Sequence, residues 1–263
     1  MNRPKLLISD LSHEYYISGS ANSLLALDRL SFEVNAGEFA VVVGTSGCGK
    51  TTLLKIVAGL IRPTGGRVIV DGAPVNGPTG NLGLVFQQPL LLPWRNLLWN
   101  VAWGLELKGI GRSEADTRAR GVLNMVGLSG FENNYPHSLS GGMQQRANLA
   151  RALVLDPELL LMDEPFASLD AQTREILQFE LIRIWEATRK TILFVTHDIN
   201  EAVILADKIY VLTRRPARLK EVVDVQLPRP RTLAVRSLSQ FPEYVSRIWN
   251  LLDIDMVPRA KPA

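Results

Sequence analysis

The residues with the clearest chemistry form one run, Gly44-Thr45-Ser46-Gly47-Cys48-Gly49-Lys50-Thr51-Thr52. Glycines at these spacings let successive backbone N–H groups converge on phosphate oxygens with no Cβ in the way. A helix that starts where the loop ends adds the favourable end of its dipole. Lys50 can then reach the β- and γ-phosphates of a nucleotide, and the Thr51 hydroxyl can ligate Mg²⁺. The run follows the apolar stretch Phe39–Val43 and precedes Leu53–Ala58, whose period is helical. Strand, glycine-rich turn and helix in that order predict a nucleotide phosphate site.

Other stretches carry complementary chemistry. The apolar strand Leu159–Met162 ends in two acids, Asp163 and Glu164. The first suits a hard cation such as Mg²⁺, held through water, and the second can polarise an attacking water. His197 follows another buried strand, Thr191–Thr196, on the edge where open α/β sheets bind ligands. Ser140, Gly141 and Gly142 at a helix start describe a second anion-binding nest. Tyr15 and Tyr16 precede a Gly/Ser/Asn-rich turn at 19–23, and their spacing fits either stacking on an adenine or packing on a sheet edge.

The elements that must position these groups alternate between strands and helices. Short strands are expected at Leu6–Ile8 and Ser31–Val34, with Leu24–Leu30 between them, then at Arg67–Val70 and Leu82–Phe86. Helices are expected at Asn100–Leu107, Ser113–Val126, Ala147–Leu155, Ala171–Thr188 and Asn200–Ala206, with a further strand at Lys208–Leu212. From Gln87 to about Leu155 the pattern is mostly helical, an inserted subdomain entered through the apolar loop Leu90–Trp94. That loop reads as buried core or as a partner contact. Arg214–Arg231 is basic and proline-punctuated, and Thr232–Leu252 reads as a helical region interrupted at Pro242.

Composition narrows the classes. With 263 residues, 46% hydrophobic and 21% charged, the chain reads as a soluble globular protein. No apolar run reaches the roughly 18 residues of a bilayer span, and Met1–Lys5 lacks a secretory pattern. A single cysteine excludes an internal disulfide framework, and three scattered histidines do not predict structural zinc. Lys208–Ala263 holds eleven Lys and Arg against five Asp and Glu, a surplus of six that leaves the rest of the chain at −3. These basic residues are dispersed and not interleaved with stacking aromatics, which predicts a solvated tail and no nucleic-acid partner.

Together and in order, these motifs resemble the ATP-binding subunit of an ABC transporter. Gly44–Thr51 matches its Walker A motif, Gln87 its Q-loop, and Leu139-Ser140-Gly141-Gly142-Met143 its LSGGQ signature. Leu159–Glu164 matches Walker B, Ser168-Leu169-Asp170 the D-loop and His197 the switch histidine. Tyr15 sits where the adenine-stacking aromatic is expected, with Tyr16 as the alternative. The resemblance implies an α/β fold with a P-loop, RecA-like ABC ATPase core. That core spans 1–86 and 156–230 and includes an N-terminal antiparallel β-subdomain. A helical signature subdomain is implied over 87–155 and a helical tail over 231–263.

The resemblance also implies ATP and Mg²⁺ as cofactors, with the metal held by Thr51, Gln87 and Asp163. Catalysis falls to Glu164, His197 and Gln87. Two subunits form a head-to-tail dimer, in which Ser140–Gly142 face the γ-phosphate held by Lys50 of the partner subunit. Cys48, inside the loop, is then expected to be shielded from thiol reagents by bound ATP. Val85–Pro89 with Leu91–Arg95, Met162–Phe166, Leu169–Arg174 and Leu227–Arg231 look like the nitrate/sulfonate/taurine importer branch. Its members work with membrane permeases and an external solute-binding protein, on the cytoplasmic face of the inner membrane. Cargo of the pyrimidine or vitamin-precursor type and a non-transport ABC ATPase are the alternatives. Met143 replaces the signature glutamine, and Ala167-Ser168 replaces the commoner Gly-Ala before the D-loop leucine. Neither departure removes a phosphate contact, and no regulatory β-domain of the sugar-importer kind is implied.

Overall fold

The structure is a computed structural model that describes residues 3–16 and 23–252. The glycine-rich turn at 19–22 and the chain beyond 252 lie outside the described residues. The chain opens with two long antiparallel strands, β1 (Leu6–Tyr16) and β2 (Ser23–Val34). They replace the short strands and intervening segment expected from sequence. The alternation breaks because the ladder shifts register between Ile8 and Leu11 and again around His13, with Asp10 and Arg29 at positive φ. Such bulges bend a strand and move residues between its faces. With β4 (Gly65–Val70) and β5 (Ala73–Pro74) these strands form a four-stranded antiparallel sheet in the order β2-β1-β4-β5.

A second sheet carries the chemistry. It is ordered β10-β9-β3-β8-β7-β6, from β3 (Phe39–Val43), β6 (Leu82–Val85), β7 (Leu159–Asp163), β8 (Thr191–Thr196), β9 (Lys208–Leu212) and β10 (Leu219–Asp224). All pairings but β9–β10 are parallel, and β3 and β8 are buried throughout, as a sheet covered on both faces requires. Side chains divide by parity. Phe39, Val41 and Val43 face one core with Leu160, Met162, Ile192 and Phe194, while Ala40 and Val42 face the other with Leu159, Leu161, Leu193 and Val195. The second core is closed by β1, β2 and helix α1 (Lys50–Val57), so the phosphate-loop helix is clamped between the two sheets. β10 was not foreseen: it is an edge strand inside the proline-punctuated stretch.

Between β6 and β7 run α2 (Leu97–Leu107), α3 (Arg112–Met125) and α4 (Gly141–Leu153). α4 starts six residues before the expected Ala147, because Ser140 caps it by accepting a hydrogen bond from the Met143 N–H (3.3 Å). The buried Asn100 on α2 shapes the preceding loop. Its amide donates to the carbonyls of Leu92, Arg95 and Asn96 (3.1, 2.8 and 3.0 Å) and accepts from Leu92 N–H (2.7 Å). Trp94, within that loop, is 71% exposed.

α5 (Ala171–Thr188) and α6 (Ile199–Leu205) cover the first core, and α7 (Gln240–Leu251) packs on α6. Pro242 does not interrupt α7; it sits in the first turn, where its missing N–H has no intrahelical partner to lose. The expected solvated tail is also corrected at Arg229 and Arg231. Arg231 is buried and donates to the carbonyls of Ile204 and Ala206 (2.8 and 2.7 Å), closing the C-terminus of α6. Arg229 pairs with Asp207 (2.7 Å), with its guanidinium carbon 4.1 Å from the Trp185 ring centroid. Dispersed basic residues look solvated in sequence, but these two satisfy helix-end carbonyls and an aromatic face.

Candidate active site

The parallel register assembles the site at one sheet edge. Val43 pairs with Thr196 and Asp163 with Val195, so Gly44, Glu164 and His197 leave adjacent strands side by side. Gly49, at φ 132, makes the turn into α1, and a Cβ there would lie 3.0 Å from the Ala26 carbonyl oxygen. Only glycine fits that turn and approach. The Lys50 ammonium is buried and donates to the carbonyls of Gly44 and Thr45 (2.9 and 3.2 Å), with Glu164 Oε1 at 3.2 Å. The remaining loop residues, Ser46, Gly47 and Cys48, complete the turn into α1, where the Cys48 N–H donates to the Thr45 carbonyl (3.2 Å).

Glu164 is fixed by its backbone. It stands at φ 43, an uncommon conformation for a residue with a side chain, and its N–H donates to Val195 O (3.1 Å). Its Oε2 lies 2.7 Å from His197 Nδ1. Burial raises the Asp163 carboxyl, opposed by a hydrogen bond from the Thr51 hydroxyl (3.1 Å). Two hard oxygens beside a phosphate loop fit Mg²⁺, which takes one or two carboxylates and completes its octahedron with phosphate and water. Among the described residues no group of three or more His, Cys, Asp or Glu forms a separate metal cage. Gln87 is exposed two residues beyond Val85, which pairs with Met162, so it leaves the sheet on the same edge as Glu164.

Other predicted residues lie around this centre. The hydroxyls of Tyr15 and Thr52 are 3.1 Å apart, which ties Tyr15 to the phosphate-loop helix, whereas Tyr16 is 77% exposed. Asp170 caps α5 by accepting from the Thr173 N–H (3.0 Å), and that bond holds its carboxyl below the usual range. Ser168 is exposed and Leu169 half-buried in the loop between. Leu139 is buried, while Ser140 and Gly141 are exposed at the start of α4. A Cβ on Gly142 would meet Thr173 Cγ2 at 2.7 Å, so that glycine lets α4 approach α5. Among the described residues, the polar contacts around Lys50 and Glu164 include none from Ser140–Met143.

Cys48 departs from expectation. Its side chain is 1% exposed, turned into the second core, and burial pushes its thiol up. A buried, protonated thiol is inert with or without nucleotide, so it cannot report nucleotide binding by labelling. Two further arginines touch the site. Arg215 Nε and Nη2 donate to the Gly47 carbonyl (3.0 and 2.5 Å), brought there because Ala217 bonds back to Ala26 on β2 (2.9 Å). Arg174 donates to the carbonyls of Phe166 and Leu169 (3.3 and 2.8 Å). Arg215 has no sequence spacing that marks it, and Arg174 enters the sequence reading only as the end of the Leu169–Arg174 run; tertiary placement gives both their contacts.

A family profile described as ABC transporter matches residues 27–167. The chain belongs to the ABC transporter family. It is similar to an uncharacterised ABC transporter ATP-binding protein of Methanocaldococcus jannaschii, at 51% identity over 98% of this chain and 94% of that protein. It is also similar to the taurine import ATP-binding protein TauB of Burkholderia pseudomallei, at 46% identity over 84% of this chain and 86% of TauB. Among solved structures, a dimeric ATP-binding cassette in a post-hydrolysis state, bound to ADP and Pi, superposes with a TM-score of 0.74 at 31% identity. That match covers 84% of this chain and 99% of the cassette. The protein is therefore an ABC ATPase with the cassette fold, and its relatives agree with the sulfonate/taurine branch. Among the described residues no helix is long and apolar enough to cross a membrane.

Proposed function

We propose that this ABC ATPase is the energy-supplying subunit of an importer for a small sulfonate-, taurine- or nitrate-type anion. The observation that carries the cargo class is the 46% identity to TauB across most of both chains, together with the branch motifs at Val85–Pro89 and Leu227–Arg231. Lys50 and the loop N–H groups bind the ATP phosphates, and Tyr15 flanks the base. Glu164 accepts a proton from the attacking water, while His197, hydrogen-bonded to Glu164, holds that carboxylate in line. Thr51, Asp163 and Gln87 would hold Mg²⁺, which would supply positive charge to the phosphoryl oxygens.

Ser140 and Gly141 are exposed, and among the described residues the polar contacts around Lys50 and Glu164 include none from Ser140–Met143, which supports a dimer in which each signature closes over the partner's ATP. Motion passes to the helical subdomain through α4. Asn148 donates to Phe86 O (3.0 Å), and Arg151 donates to Pro89 O (2.9 Å) and Leu90 O (2.7 Å), so the backbone on both sides of Gln87 hangs from the signature helix. A permease docks against the exposed Leu90–Trp94 loop, an external solute-binding protein delivers the anion, and the subunit sits on the cytoplasmic face of the membrane. The test is Glu164→Gln in the full-length chain. It should accumulate an ATP-bound dimer with turnover below about 1% of wild type, and rapid turnover with a persistent monomer overturns the assignment. Growth on taurine, other sulfonates or nitrate as sole sulfur or nitrogen source, with and without the gene, decides the cargo.

A further inference from the structure

The sheet sets the backbones of Glu164 and His197 side by side; the last pair joining their two strands is Asp163 with Val195, and Thr196 pairs onward with Val43 of β3. Two separate loops follow these strands, and the 2.7 Å contact between Glu164 and His197 depends on their relative position. One side chain spans both. Arg174, in the first turns of α5, donates Nε to Phe166 O (3.3 Å) and Nη2 to Leu169 O (2.8 Å). Those carbonyls belong to the loop leaving Glu164, which is folded on itself by Ala167 N–H to Glu164 O (3.1 Å) and Leu169 N–H to Phe166 O (3.2 Å).

The third arm of the same guanidinium faces the other loop. Arg174 Nη1 is 3.8 Å from Oδ2 of Asp198, the residue after His197, in an ionic contact longer than a hydrogen bond. Asp198 is itself fixed, since its Oδ1 accepts from Glu201 N–H (3.1 Å) and its N–H donates to Thr196 Oγ1 (3.0 Å). Glu164, His197, Asp198 and Arg174 line one small cavity.

We propose that Arg174 is a positioning residue for ATP hydrolysis, locking the loop after Glu164 to the segment after His197. A planar fork can hold two carbonyls and a carboxylate at once; an ammonium on a flexible stem cannot. The inference rests on the roles assigned above to Glu164 and His197.

The test is steady-state ATP hydrolysis by the full-length chain. Arg174→Ala should lower kcat about ten- to a hundredfold, the scale of a misplaced catalytic group, with KM for ATP changed less than about twofold. Arg174→Lys should recover only part of the loss. Asp198→Asn retains a capping side chain for α6 but removes the charge; it should lower kcat alone and cause no further loss in the Arg174→Ala background. Wild-type kcat in Arg174→Ala, a loss confined to KM, full recovery by lysine, or multiplying losses with Asp198→Asn would each overturn the proposal. If Arg174→Ala does not fold, unchanged kcat in both Arg174→Lys and Asp198→Asn overturns it. Glu164→Gln in the same assay separates the two claims, because hydrolysis surviving there refutes the role of Glu164, whatever Arg174 does.

Discussion

Glu164 touches two groups with its two oxygens: Oε2 is 2.7 Å from His197 Nδ1, and Oε1 is 3.2 Å from the Lys50 ammonium. One carboxylate thus joins the buried ammonium at the start of α1 to the imidazole just past the next strand. The backbone bond to Val195 O and the positive φ of Glu164 fix where that carboxylate starts, so its reach is set by side-chain length alone.

Shortening that reach should be costly. Glu164→Asp withdraws the carboxylate by one methylene and cannot serve both neighbours. We expect kcat to fall about a hundredfold, as for misplacements on the ångström scale, with ATP affinity little changed. His197→Ala should lose a similar factor through kcat, because its contact is to Glu164. Steady-state kinetics with a separate nucleotide-binding measurement checks both; a loss seen only in affinity contradicts the geometry.

Arg231 should be a stability residue. It is 4% exposed and donates to four carbonyls, those of Val203, Ile204, Ala206 and Val225. Burial lowers its pKa to about 10, so it remains charged at neutral pH. Arg231→Ala leaves these acceptors unmet inside the protein, at a cost of about 3 kcal/mol. The expected fall in Tm is roughly 6–12 °C, with nucleotide binding at low temperature preserved. Thermal unfolding with and without ATP measures it, and a Tm within about 2 °C of wild type would refute the role.

How much of this was legible beforehand differs by feature. The phosphate loop, the strand-end acids and His197 were readable because their chemistry demands fixed residue types at fixed spacings. Phe39–Val43 and Thr191–Thr196 were readable as buried strands for a related reason, since both faces of a parallel sheet must be apolar. β1 and β2 were misjudged in length, because bulges at Asp10 and around His13 break the alternation that marks a strand. The burial of Arg231, and the links made by Arg174 and Arg215, depend on which loops the sheet order brings together. No local pattern encodes that order.

Glu201 should give the fold a pH-dependent stability. It is nearly fully buried on α6, and that burial pushes its pKa up to about 7. Hydrogen bonds from Thr196 and Gln178 oppose the shift, Asp198 adds to it, and Arg174 opposes it. A carboxyl raised in the folded state binds its proton more tightly than in the unfolded chain. Its stabilising effect is therefore full below the unfolded value of 4.5 and is lost as pH rises to about 7. Glu201→Gln keeps an acceptor for Gln178 and has no charge to bury. The variant should exceed wild type by on the order of 1–3 kcal/mol at pH 8 and approach it at pH 5. Denaturant unfolding at the two pH values checks this, and an equal difference at both rules it out.

Trp94 should matter for assembly before it matters for chemistry. It is 71% exposed in a loop that Asn100 holds against the start of α2 with four hydrogen bonds between Leu92 and Asn96. An indole kept in water by a rigid loop loses little conformational entropy on burial against a partner, which is why such residues anchor interfaces. Trp94→Ala should bind ATP as wild type does and lose at least about tenfold in affinity for the permease, the loss of one anchor. Asn100→Ala frees the loop without removing the indole and should weaken assembly less. Co-purification from detergent-solubilised membranes, with ATP binding measured in parallel, decides the matter: equal recovery of the permease with Trp94→Ala and wild type removes the loop from the docking surface.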